Sequence, residues 1–265
     1  MPERLITFTT DFGTTDHFAG AMKGVIAGIA PNARVIDITH EIPPYDINQA
    51  GFVIAQAWSY FPKGTIHVVV VDPGVGSARR PILVEACGQL FIGPDNGVFS
   101  MIYDAVPHKV RAITNDKVFR KTISRTFHGR DVFAPAAAHL AKGMKPAQMG
   151  KIIHDEVRSW NGQPSKIGTT KAARWRGAIL KVDRFGNLIT NFHIDRFEDV
   201  KTHAIELRAG KEKIRRLALT YSEAEIGDLF VIFGSSGYLE IAANQANAAA
   251  RIGCSAGAPV ELDIY

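Results

Sequence analysis

The sequence predicts an α/β domain with a mostly parallel central sheet, followed by a small antiparallel β domain, a barrel or a sandwich. Two observations predict it. Up to about residue 150, apolar strand-like runs alternate with segments of helical periodicity, the pattern of a sheet covered on both faces. Beyond residue 172 the pattern changes to short strand candidates separated by turn residues, as in small antiparallel folds. The boundaries follow from a polar rise between them that contains Asn161-Gly162-Gln163-Pro164: residues 1–160 form the first domain, 161–172 a linker and 173–265 the second domain.

In order along the first domain, Leu5 to Thr9 reads as a strand. Asp16 to Ala30 reads as a helix, with Phe18, Met22, Val25, Ile26 and Ile29 at helical spacing and Asp16 placed as its N-cap. Arg34 to Ile38 is strand-like and Ile47 to Phe61 helix-like. Thr65 to Val71, rich in valine and isoleucine, reads as a fully buried strand, one covered on both faces. Pro81 to Ala86 and Leu90 to Ile92 add two strands, and Asp131 to Ala141 an alanine-rich helix. In the second domain the strand candidates are 178–182, 188–192, 204–208, 229–233, 238–242 and 260–265, with one helix signal at 244–251.

Composition narrows the function classes. Hydrophobic residues are 46% and charged residues 22%, enough apolar material for real cores. The net charge of +5 is spread thinly over 31 basic and 26 acidic residues, so no stripe for nucleic acid is expected. No apolar run reaches the length of a membrane span. Cys87 and Cys254 lack CxxC partners, which argues against a zinc site built on them and fits a reducing, cytoplasmic setting; no signal-peptide pattern precedes the first strand.

Polar clusters recur just after strands of the first domain, where open α/β sheets place ligands. In Thr9-Thr10-Asp11-Phe12-Gly13, Asp11 can accept two hydrogen bonds, as from a ribose diol. In Val71-Asp72-Pro73-Gly74-Val75-Gly76-Ser77-Ala78-Arg79, a carboxylate ends a buried strand and an arginine follows a turn; the same pair also fits an ion pair bracing that turn. The phosphate-loop ending and the full dinucleotide fingerprint are absent. Gly93-Pro94-Asp95-Asn96-Gly97 reads as a turn with a helix cap at Asp95 or Asn96. His128, before Gly129 and a helix start, suits a residue that points into a cleft and equally a satisfied structural histidine. In the second domain, Asp183-Arg184-Phe185-Gly186-Asn187 and Gly234-Ser235-Ser236-Gly237-Tyr238 are polar turns between strands, the latter a poor nucleophile elbow.

Together these segments resemble one family, the SAM hydroxide adenosyltransferases (adenosine-forming hydrolases of S-adenosyl-L-methionine, SAM), relatives of the SAM-dependent fluorinases and chlorinases. The resemblance runs from Thr7 to about Ala246 through TTDFGTTD, HEIPPYDI, VVDPGVGSARR, GPDNG, TFHGRDVFAPAAAHL, VDRFGN and GSSGYLEIA, in the family's order. It implies an α/β domain and a small antiparallel β-barrel, and a catalytic set of Asp72, Arg79 and His128. It implies that Asp11 holds the ribose hydroxyls, with Tyr45 beside the ribose where fluorinases have tryptophan. It places the methionine ammonium on Asp183, the adenine on Asn187 with Tyr221 stacked on it, and the methionine carboxylate near Ser235, while Ser236 stands where fluorinases have an arginine. Halogenases carry a tyrosine at the position of Asp72 and a halide-binding serine at that of Gly129. Family members are homotrimers, each site drawn from the first domain of one subunit and the second domain of its neighbour.

The implied chemistry is attack of water on ribose C5′, giving adenosine and methionine. The sulfonium leaves as a neutral thioether and needs no acid, so no metal and no cofactor are expected. The demand falls on placing one water in line with the C5′–S bond and taking its proton, by Asp72 or His128, with Arg79 orienting the water. A metal-dependent phosphoester hydrolase, a halogenase and a SAM- or adenosine-binding sensor are the competing readings.

Overall fold

The computed structural model describes residues 4–159, 162–167 and 173–265. The chain divides into two compact units, Met1–Trp160 and Asn161–Tyr265.

The first unit contains β1 (Leu5–Thr10), α1 (Phe18–Ile29), β2 (Arg34–Thr39), α2 (Ile47–Ala57), β3 (Ile66–Val70), β4 (Pro81–Ala86), β5 (Gln89–Pro94), α3 (Ser100–Ala105), β6 (His108–Ala112), α4 (Ala134–Ala141) and β7 (Ile152–Ile153). Its sheet runs β2-β1-β3-β5-β4-β6-β7. Pairings β1–β2, β1–β3 and β3–β5 are parallel, whereas β4–β5, β4–β6 and β6–β7 are antiparallel. The sheet is therefore mixed, which corrects the mostly parallel expectation. The cause is local: only Cys87 and Gly88 separate β4 from β5, at φ 50° and 75°. Two consecutive left-handed residues make a tight hairpin turn, which admits antiparallel pairing alone.

Every residue of β3 is buried, because helices cover both faces of the sheet. On one side Ile6, Phe8, Val68 and Val70 pack with Met22 and Ile26 of α1 and the alanine face of α4. On the other, Val69, Val71 and Phe91 pack with Ile54 of α2 and Phe99 and Ile102. Helix α1 starts two residues later than predicted. Its N-cap is His17, with no side-chain cap bond, so Asp16 is not the cap and lies exposed ahead of the helix. Likewise α3 is capped at Phe99 rather than at Asp95 or Asn96.

The second unit contains β8 (Ser165–Ile167), β9 (Ala173–Val182), β10 (Leu188–His193), β11 (Ile205–Ala209), β12 (Glu212–Ile214), β13 (Leu229–Phe233), β14 (Tyr238–Ala243), α5 (Ala248–Ile252) and β15 (Pro259–Ile264). The sheet order is β12-β11-β15-β9-β10-β14-β13, with β8 on β9, and these pairings are antiparallel. The chain after β12 returns to β13: the Val231 N–H donates to Arg216 at 2.8 Å and the Ala218 N–H to Val231 at 2.9 Å. The sheet is thereby a nearly closed barrel around Ile179, Leu188, Phe192, Leu207, Leu239 and Leu262. Part of the expected linker is structured, since β8 pairs with β9; residues 161 and 168–172 lie outside the described residues.

Candidate active site

At the carboxyl ends of β1 and β3 a cavity of about 440 Å³ is lined by Asp11, Phe12, Tyr45, Asp72, His128 and Gly129, among others. A larger cavity, about 560 Å³, opens at the other end of these strands, around Arg4, Gly64 and Gly88. The first of the two occupies the place where α/β sheets bind ligands. Asp11 Oδ2 accepts the Tyr45 N–H at 2.9 Å. Tyr45 sits at φ 69° and is 72% exposed. A left-handed tyrosine costs about 1–3 kcal/mol, and residues held this way cluster at ligand sites. Burial raises the Asp11 pKa above the ordinary carboxylate value; the Tyr45 N–H opposes this and the neighbouring Asp72 charge adds to it.

Asp72, Arg79 and His128 meet through the guanidinium. Arg79 Nε donates to Asp72 Oδ1 at 3.0 Å, Nη2 donates to Asp72 Oδ2, and Nη2 also donates to His128 Nδ1 at 2.7 Å. The Phe133 ring lies under the same group, 5.2 Å from Cζ to centroid. Both partners of the ion pair are nearly inaccessible, with side chains 9% and 5% exposed. The turn that brings them together includes Gly76 at φ 78°, where a Cβ would collide with the Arg125 carbonyl oxygen.

A guanidinium only donates. His128 Nδ1 is therefore an acceptor, and the proton of the neutral ring lies on Nε2. Burial first, then the Arg79 charge, lowers the His128 pKa and favours that neutral form, against the opposing fields of Asp72 and Asp131. His128 begins a π-helical turn, Gly129–Phe133, that leads into α4. Asp131, fully buried, ties this turn to the preceding loop: Arg130 and Arg120 pair with it and the Ser124 N–H donates to it at 2.9 Å. Burial acts to raise its pKa, but these donors outweigh burial and carry it down to about 2.

Arg80 turns away from its neighbour, to Asp95 at 2.6 Å and Asp155 at 2.9 Å. The GPDNG segment thus braces the fold, with Asn96 Nδ2 donating to the Val71 carbonyl at 2.9 Å just before Asp72. Among the described residues, no three His, Cys, Asp or Glu side chains group as metal ligands, and no helix is long and apolar enough to cross a membrane.

In the second unit, Asp183 to Asn187 forms the turn between β9 and β10. Asp183 Oδ1 accepts the N–H groups of Phe185 and Asn187, both at 2.8 Å, and Oδ2 accepts Asn187 Nδ2 at 2.9 Å. Tyr221 lies on a 3₁₀ turn, Tyr221–Glu223, its ring edge-on to Phe230 at 5.8 Å. Burial, then the fields of Glu240 and Asp183, raises its pKa. Ser235 is exposed in the turn before β14.

The structure thus brings Asp11, Tyr45, Asp72, Arg79 and His128 to one place in the first unit. In the second unit Asp183 and Asn187 bond directly, and Tyr221 feels the charge of Asp183. Sequence reasoning missed Phe133, the platform under Arg79, although its place five residues after His128 on a helix start was a usable signal. It also missed Glu240, a charged residue within the apolar run of β14.

Comparison with known proteins extends these observations to the whole chain. The family model for the SAM hydroxide adenosyltransferase N-terminal domain matches residues 6–150, and that for the C-terminal domain matches residues 177–261. The protein named (R)-S-adenosyl-L-methionine hydrolase in Thermus thermophilus is 34% identical, over 98% of this chain and 99% of its own. Its namesake in Salinispora tropica is 37% identical, over 97% and 96%. A crystal structure of an uncharacterized conserved protein from Thermotoga maritima superposes with a TM-score of 0.89 at 34% identity, covering 97% of this chain and 99% of that one. The two models match in sequence order, one in each unit, and the chain belongs to the SAM hydroxide adenosyltransferase family.

Proposed function

We propose that this chain hydrolyses S-adenosyl-L-methionine by attack of water on ribose C5′, giving adenosine and L-methionine. The observation that carries the reading is the Arg79 guanidinium fixed between Asp72 and His128, beside a cavity that Asp11 and Tyr45 also line. The C5′–O bond forms as the C5′–S bond breaks, and sulfur keeps the electron pair as a neutral thioether. Water must lose a proton. His128 offers the cavity an Nε2–H, a donor, so its part is to hold the water oxygen. Asp72 keeps unused lone pairs after binding Arg79 and takes the proton. Most of the acceleration comes from placement, worth up to roughly 7–11 kcal/mol in well-oriented systems.

Asp11 takes the ribose hydroxyls with Tyr45 against the sugar. Asp183 takes the methionine ammonium, Asn187 and Tyr221 the adenine, and Ser235 the carboxylate. The relatives are named for (R)-S-adenosyl-L-methionine. Since L already fixes the α-carbon, we read (R) as the sulfonium configuration and extend that preference to this chain. The halogenase reading is disfavoured by Asp72 and by Gly129, where a Cβ would stand 3.0 Å from Met22 Sδ. The reaction uses no cofactor or metal and belongs to the cytoplasm, where SAM is made.

The test is incubation of the purified protein with each sulfonium epimer in ¹⁸O-water, with chelator and with added halide in parallel. Labelled adenosine and equimolar methionine, formed faster from the (R) epimer and insensitive to chelator and halide, are expected. Recovery of intact substrate from both epimers would sink the reading. The trimer, with sites shared between subunits, belongs to the same proposal. Asp72→Ala and Asp183→Ala are each expected to be inactive, and refolding them together restores about a quarter of wild-type activity. No recovery on mixing would mean that each site is built within one subunit.

A further inference from the structure

Asp183 has little capacity left for a ligand. Its Oδ1 is filled by two backbone donors and its Oδ2 carries the Asn187 amide, so about one lone pair remains. An ammonium group has three N–H donors to place. A second acceptor of the right charge lies nearby. Glu240, on β14, is 6% exposed and makes no ion pair among the described residues. Its Oε1 accepts the Ser236 hydroxyl at 3.5 Å, the long limit of a hydrogen bond, and its Oε2 accepts none from any described residue. Gly234 leaves room for it, since a Cβ there would collide with the Glu240 carboxylate. Lys181 lies across β10 in register, through Ile189, and feels the charge of Asp183, yet forms no ion pair with either acid among the described residues.

A buried carboxylate without a cation is costly unless something brings one. The strain registers in its titration: burial first, and the Asp183 charge second, push the Glu240 carboxyl up to about 7, with Ser236 pulling the other way. The substrate of the proposed reaction carries a mobile cation besides its sulfonium, the methionine ammonium.

We infer that Glu240 is the second carboxylate of the ammonium subsite, sharing the methionine ammonium of SAM with Asp183. The inference rests on the hydrolase reading for the identity of the substrate. Glu240 is a positioning residue: it holds the amino-acid end of the substrate while the chemistry proceeds at C5′. Ser236 adjusts it, which gives that serine a role of its own where fluorinases have an arginine.

The test compares wild type, Glu240→Gln and Glu240→Ala on two substrates, SAM and its deaminated analogue, in which hydrogen replaces the ammonium. Binding is read by calorimetry and turnover by adenosine release. With SAM, Glu240→Gln is expected to weaken binding and raise KM about ten- to a hundredfold, with kcat within a few-fold of wild type. With the deaminated analogue, wild type and both variants should agree within about twofold. An equal loss on both substrates, or unchanged SAM affinity in both variants, would overturn the assignment. Ammonium-dependent binding without turnover in wild type would support the subsite while sinking the hydrolase reading.

Discussion

Arg79 is the residue around which the candidate site of the first unit is arranged. A buried Asp–Arg pair is weak evidence for stability, because desolvation offsets most of its Coulomb attraction. What the arrangement does provide is a guanidinium fixed in orientation by Asp72, His128 and the Phe133 ring. Lysine cannot donate along the same three lines. Arg79→Lys and Asp72→Asn are each expected to lower kcat by about 10²–10⁴-fold with KM changed only a few-fold. Steady-state kinetics of adenosine release would check this, and equal losses in kcat and in substrate affinity would falsify the catalytic assignment. Tyr45 lends itself to a thermodynamic test. At φ 69° glycine is free of the strain that alanine retains, so Tyr45→Gly should be about 1 kcal/mol more stable than Tyr45→Ala by urea unfolding. In the proposed reading, where the ring packs on the ribose, both should also raise KM.

The elements place these residues by a few local devices. Asp72 follows a strand buried on both faces, and a glycine turn returns the chain with Arg79 facing it. His128 is held by Asp131 acting on its own helix and on the loop before it. Asp131→Asn is expected to cost about 2–3 kcal/mol in chemical denaturation and also to lower kcat, because the helix start that carries His128 loosens. A stability loss with unchanged kcat would mean that the network serves the fold alone. Much of this was legible in the sequence. Asp72 and Arg79, seven residues apart after an apolar run, and His128 before a helix start could be named from pattern and motif order. The mixed sheet could not, because the turn residues are Cys87 and Gly88 rather than an asparagine-glycine pair, and because β6, His108–Ala112, is too charged to read as a strand. Nor could the burial of Glu240. On β14 it occupies an outward position, where a charged residue is ordinary, and it is burial in the folded unit, beside Asp183 and Ser236, that makes it unusual.

At the scale of the whole molecule, two buried groups, one in each unit, respond to acid in opposite directions. His67, fully buried in the first unit, bonds Thr7 at 2.7 Å and Gln89 at 2.6 Å. Burial lowers its pKa to about 4, against the Gln89 bond. The unfolded chain takes up this proton near its ordinary 6.5, so the first unit loses up to about 3 kcal/mol as pH falls from 6.5 to 4. Glu240 does the reverse. Its folded pKa of about 7 exceeds the ordinary 4.5, so the second unit loses up to about 3 kcal/mol as pH rises from 4.5 to 7. Differential scanning calorimetry across this range should show Glu240→Gln melting above wild type at pH 8 and the advantage fading by pH 4. A constant advantage at all pH values would place the effect elsewhere than in the ionisation of Glu240.

The π-helical turn at Gly129–Phe133 has an evolutionary reading. Such a turn is what an α-helix becomes when one residue is inserted into it. Deleting one residue there lets the helix relax to its ordinary pitch and rotates the upstream end by about 100° relative to α4. His128 would then leave Arg79 while the alanine face of α4 stays seated on the sheet. A one-residue deletion in this turn is thus expected to part the histidine from its guanidinium, which makes the turn the place where descendants of this fold would lose the chemistry by the shortest change.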